Sequence, residues 1–291
     1  MRIVSLVPSA TEMLFALGLG GELVAVTHEC DYPSAAQELP KVTRDVLPGG
    51  LSAAEIDAAV KERTLAGESI YELDTDALAD LQPDLIVIQA LCSVCAVSLD
   101  DVRAIAQELD SAPEVISLDP HTVGEVLGDA RTIGQATGTK DAAVDLVRQA
   151  SERIDRVRLA VRGAHRLRVV ALEWLDPPFV AGHWTPQLIE YAGGEDVAGF
   201  AGAHSEQRSW EEIAAAEPDV VIVMPCGFDA EIPTARRGCI AISWPPWAPA
   251  RWWPWTEVPC SHAPGRGSSR AWSCWRTSST PSCCPTRPAR S

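Results

Sequence analysis

One short phrase occurs twice in this chain and constrains its fold more than any other feature. Gln82-Pro83-Asp84 runs into Leu85-Ile86-Val87-Ile88, and Glu217-Pro218-Asp219 runs into Val220-Val221-Ile222-Val223. A residue before proline is pushed out of the α region, so a helix stops there. An unbroken apolar run without alternation suits a strand buried on both faces, as in a parallel sheet. Because the phrase stands once in each half, it predicts two similar α/β lobes. Further strands are expected at 2–7, 23–27, 115–118 and 168–172. Helices are expected at 123–137 and 141–162, the second with Val144, Val147, Ile154, Val157 and Val161 at roughly helical spacing. The expected fold is α/β, two Rossmann-like lobes with parallel sheets joined by a long helix, with a ligand cleft between them. The expected divisions are a lobe at 1–120, a helical connection at 121–164, an incomplete second lobe at 165–237 and an aberrant tail at 238–291. A stiff helical link predicts a small hinge motion.

Composition narrows the partners. A formal net charge of −16 argues against nucleic acid, which needs clustered Lys and Arg. No apolar stretch is long enough to span a bilayer, so membrane insertion is not expected. Met1-Arg2 enters a strand-like run directly, which reads as a cytoplasmic chain, or an extracytoplasmic one if the start codon is misassigned. G-x-G-x-x-G, Walker A, G-x-S-x-G and H-E-x-x-H patterns do not occur, and no catalytic residue is singled out.

The texture changes near Gly238. Trp244, Trp247, Trp252, Trp253, Trp255, Trp272 and Trp275 crowd among Pro, Ser, Arg and Cys, and no period of 2 or 3.6 survives. We read this stretch as a shifted reading frame. A natural disordered tail is the alternative, but tryptophan is rare in such segments.

Ligands of parallel sheets bind outside the carboxyl ends of the strands. Pro8 and Ser9 follow the first strand, with Ser9 and Glu12 spaced as a capping box opening a helix whose N-terminus favours an anionic group. His28, Glu29, Cys30 and Tyr32 follow the second. Cys92 and Cys95 follow the third, and Cys226 follows the last. Cys30, Cys92, Cys95 and Cys226 form a candidate metal set, with His28 beside it. Cys-x-x-C spacing lets two thiolates reach one ion, although a free cysteine is as often a small buried hydrophobe. Trp174, Phe179, His183 and Trp184 lie in one loop region and suit a flat, partly apolar ligand; packing between lobes is the plain alternative.

Several stretches resemble the cobalamin and iron-siderophore class of periplasmic substrate-binding proteins. They are residues 2–12, Asp31-Tyr32-Pro33, residues 81–87, Asp176-Pro177-Pro178-Phe179 and Tyr191-Ala192-Gly193-Gly194-Glu195. The likeness is greatest to a branch labelled cobalamin-binding, through residues 28–33, 92–98 and 224–229. It implies a cleft ligand and, in exported relatives, delivery to an ABC-importer permease. It also matches 28–32 and 174–184 to ligand-facing loops. The expected function is reversible binding of a corrinoid (cobalamin-like) or related metal chelate, without enzymatic activity. Whether a resident cofactor is present, cobalamin or a transition metal, stays open. A metal-trafficking protein using the Cys/His set, and a thiol- or metal-dependent enzyme on the same scaffold, are the alternatives.

Overall fold

The computed structural model describes residues 1–90 and 97–226. The expected tail at 238–291 and the Cys92–Cys95 pair lie outside the described residues. The N-terminal lobe runs β1 (Ile3–Ser5), α1 (Pro8–Ala16), β2 (Leu23–Val26), α2 (Ser34–Gln37), β3 (Thr43–Asp45), α3 (Ala53–Leu65), β4 (Tyr71–Leu73), α4 (Thr75–Leu81), β5 (Leu85–Gln89), α5 (Leu99–Glu108) and β6 (Glu114–Leu118). Then come α6 (Val123–Ala136) and α7 (Lys140–Ala160). The C-terminal lobe holds β7 (Arg168–Leu175), β8 (Pro178–Val180), α8 (Thr185–Tyr191), β9 (Glu195–Asp196), β10 (Glu206–Gln207), α9 (Trp210–Ala215) and β11 (Val220–Val223).

The first lobe is built on a parallel sheet in the order β2-β1-β5-β6. Side chains alternate across its faces, as the period of two requires. Ile3, Leu85 and Val87 pack with Leu14 of α1 and Ile133 of α6. Val4, Ile86 and Ile88 pack on the other face with Leu78 of α4 and Val102 of α5. Burying each such side chain contributes about 1.5–3 kcal/mol. α6 and α7 approach closely at Gly134, where an added Cβ would lie 2.5 Å from that of Ala143. The 21 residues of α7 span about 30 Å and link the lobes.

The doubled phrase folds the same way in both lobes. Gln82 and Glu217 close their helices in the left-handed region, with φ of 42° and 41°. Asp84 and Asp219 then accept from the backbone N–H of Arg2 and Arg168, the entry residues of the neighbouring strands, at 2.6 and 2.9 Å. Each guanidinium turns back onto the helix end: Arg2 donates to the carbonyl of Leu81 at 2.7 Å, and Arg168 to that of Ala216 at 2.7 Å. Orphan C-terminal carbonyls are thereby satisfied.

Three expectations need correction. The second sheet is mixed, not parallel: β7 pairs in parallel with β11 and β9, whereas β8 returns antiparallel to β7 and β10 adds to β8. The turn at Asp176-Pro177 is short, and a short connection joins only antiparallel neighbours. Ser9 does not cap α1. The cap residue is Val7, no side chain caps the first-turn N–H groups, and Pro8 opens the helix, where its missing N–H costs nothing. The antiparallel pair β3 and β4 was also not expected, because strands of three residues are too short to display a period.

Candidate functional site

On the N-terminal lobe, β3 and β4 hold the loop after β2. Thr43 of β3 bonds Thr27 side chain to side chain at 2.8 Å and accepts from the His28 backbone N–H at 3.0 Å. Its hydroxyl also meets His28 Nδ1 at 2.7 Å, which fixes the imidazole. Tyr71 of β4 stands edge-on to that ring at 4.8 Å and donates its hydroxyl to Glu29 at 3.2 Å. His28 Nε2 makes no hydrogen bond; Glu29 Oε1 is 3.5 Å away, an ion-pair distance that counts only for a protonated ring. Tyr32 is half-buried on the same loop, and Pro8 and exposed Ser9 begin α1 alongside the sheet.

On the C-terminal lobe, β11 ends at Val223 opposite Leu172, but β7 continues to Leu175. The β7–β8 hairpin therefore overshoots the sheet. It carries Trp174 and Phe179 as register partners, and the Trp174 indole N–H donates to the carbonyl of Asp176 at 3.1 Å. Behind the hairpin, the 199–205 loop is clamped to 182–183. Gly182 donates to Ser205 Oγ at 3.1 Å, and Ser205 in turn donates to the Glu173 carboxylate. His183 N–H donates to the Ala203 carbonyl at 2.6 Å. Only glycine fits at 182, since a Cβ there would lie 2.4 Å from the Ala203 carbonyl oxygen.

The lobes meet beside this clamp. The Val123 backbone N–H, at the start of α6, donates to Gln187 of α8 at 2.7 Å. Immediately before it, the His121 ring lies 5.6 Å from that of His183 and 5.4 Å from that of His204, centroid to centroid. His183 and His204 are 5.3 Å apart, and Trp184 lies 6.0 Å from His183. Burial first, then His204 and His121, lowers the His183 pKa. A second bridge joins Lys61 of α3 to Gln207 at 3.5 Å. A concavity of about 470 Å³ beside Arg158, Arg162 and Tyr191 lies at the entry end of β7, away from these loops.

The candidate metal set is not gathered among the described residues. Cys30 is 2% exposed inside the first lobe's core, and its sulfur lies 3.1 Å from Thr11 Oγ1. Burial pushes its thiol pKa up, away from the thiolate a metal needs. Cys226 is exposed, at the end of β11 in the other lobe. Among the described residues no group of three or more His, Cys, Asp or Glu side chains is arranged to hold a metal ion. Sequence reasoning also passed over Thr43, Tyr71, His121 and His204. The first two sit on strands without a periodic signal, and the histidines stand in loops far apart along the chain.

The family model for periplasmic binding proteins matches residues 3–237. The chain belongs to the periplasmic binding protein family. A vitamin B12-binding protein of Pectobacterium carotovorum is 25% identical over 226 residues, covering 76% of this chain and 70% of that one. The crystal structure of the periplasmic vitamin B12-binding protein of Vibrio cholerae superposes with a TM-score of 0.56 at 20% identity, covering 76% of this chain and 75% of that one. The periplasmic heme-binding protein of Roseiflexus sp. RS-1 superposes with a TM-score of 0.55 at 28% identity, over 76% and 75%. These periplasmic relatives lend no support to the cytoplasmic expectation, and no helix among the described residues is long and apolar enough to cross a membrane.

Proposed function

We propose that this periplasmic binding protein holds an electroneutral or cationic corrinoid-type metal chelate between its lobes and acts as a carrier, not an enzyme. The lobes at 1–120 and 165–237, linked through 121–164, would close on it from either side. One observation carries the reading. The described loops 27–33, 119–122, 173–184 and 199–205 contain Glu29, Asp31, Asp119, Glu173 and Asp176, and no Lys or Arg. Lys61, near the lobe contact, is already paired with Asp57 at 2.7 Å. Chelates that present carboxylates, such as a porphyrin with its acid side chains, call for guanidinium or ammonium partners. A corrinoid edged with neutral amides does not, and Tyr32, Trp174, Phe179 and Trp184 offer it aromatic faces. His28, His183 and Glu29 supply polar groups around the rim, and Pro8 and Ser9 complete the first lobe's side. Delivery to an ABC-importer permease follows from the same reading.

The test uses the full chain, purified without added metal. Its absorption spectrum and metal content are recorded, and cobalamin is titrated in by calorimetry. Saturable one-to-one binding by protein free of intrinsic metal is expected. Stoichiometric bound metal with no response to cobalamin would overturn the reading in favour of a cysteine metal site.

A further inference from the structure

We propose that His121, His183 and His204 form a pH-operated latch between the lobes, which holds them together when the imidazoles are neutral and releases them when they are protonated. The latch regulates the candidate ligand site, so its use in ligand release rests on the function proposed above; its existence does not.

The geometry explains why neutral rings are needed. His183 Nε2 and His204 Nδ1 are 3.3 Å apart, so one must carry a proton and the other a lone pair. Protonating both turns N–H against N–H and breaks that bond. His121 leads into α6, which packs on the first lobe through Ile133, and it meets both rings at 5.6 and 5.4 Å, which makes the trio a contact between that lobe and the second. It stands one residue before Thr122, which caps α6, and two before the Val123–Gln187 bridge.

The surrounding charges must be weighed. From the first lobe, Asp119 lies 3.6 Å from His121 Nε2, and Glu125 accepts from the His121 backbone N–H at 2.7 Å. Asp129 follows one turn further along α6. From the second lobe, Glu173 is engaged by Ser205, and Trp184 and Gln187 are neutral. Asp119 favours a proton on His183 but is the weakest influence there; burial, His204 and His121 all oppose it and outweigh it. Burial, then Glu125 and Asp119, raises the Asp129 carboxyl to about 6, so one countercharge fades as the rings gain theirs.

The sign follows from linkage. Burial, His204 and His121 lower the His183 pKa, and separation, which removes His121, would let it rise toward its ordinary value. The separated state therefore binds more protons, and docking is lost as pH falls through the imidazole range.

The experiment is hydrogen exchange of the ligand-free full chain at pH 7.5 and 5.0, corrected for the intrinsic pH dependence of exchange. Protection of 119–123 and 199–205 should fall about tenfold more than that of β5. In the H121Q/H183Q/H204Q variant that extra loss should vanish. If the triple variant does not fold, H121Q alone should at least halve it. Equal protection at both pH values in the unaltered protein, or an undiminished pH effect in the variants, would overturn the latch. Because no ligand is present, failure to bind cobalamin leaves this test intact.

Discussion

The two lobes begin their sheets with the same joint and end them differently. Arg2 with Asp84 and Arg168 with Asp219 tie strand entry to helix end in matching geometry. At the exit side, the first lobe's strands stay parallel, and the polar groups after β2 are steadied by β3 and β4. The second extends β7 past its neighbours and folds it back as β8, so the aromatic groups ride on a projecting hairpin. Entry geometry thus defines the scaffold, while the exits, free of that constraint, differ between the lobes. That division suits a family whose members share a fold and differ in ligand.

The strongest challenge to the scaffold equivalence is to hollow out both central strands. Ile86→Ala and Leu172→Ala remove fully buried side chains at corresponding depth, and each should cost about 2–5 kcal/mol in denaturant unfolding. A loss at Leu172 far below that at Ile86 would show that the second lobe's core is not equivalent. The exits can be contrasted next. Trp174→Ala should weaken cobalamin binding by about 1–2 kcal/mol, roughly tenfold in Kd. His28→Ala, on the polar lip, should cost less; the reverse order would move the main recognition surface to the first lobe.

The joints should be alike but modest. Asp84→Ala and Asp219→Ala should each destabilise by about 1 kcal/mol, because both bonds are exposed. A difference of several-fold would break the equivalence. An equally modest effect, of opposite sign, is expected at Asp129. Its carboxyl is raised to about 6, so the folded state binds more protons than the unfolded chain between roughly pH 4 and 6, and stability is lost as pH rises through that window. Asp129→Asn should therefore stabilise by about 1 kcal/mol at pH 7.5, discounted because solvent screens a half-exposed group, with the gain absent below about pH 4.

Much of this was legible in the sequence where burial forces a pattern. The runs at Leu85 and Val220 form strands as read, the first buried almost throughout and the second only half-buried, and the two long helices fall within two residues of their expected ends. Where an element is only three residues long, no period can announce it, as for Thr43–Asp45 and Tyr71–Leu73. Local motifs also misled: Ser9 and Glu12 have capping-box spacing, but Pro8 pre-empts the first turn. Cys30 stands at a strand exit in the chain, yet its side chain turns into the core beside Thr11. The histidine trio depends on three loops converging, a tertiary fact with no local signature.

The central claim concerns the ligand's charge class, and it is tested most directly by comparing cobalamin with hemin on the same full-length protein by equilibrium titration. Described loops without Lys or Arg predict a cobalamin Kd at least about a hundredfold lower, near 2.8 kcal/mol. Equal affinity, or tighter binding of the dicarboxylate hemin, would contradict the account.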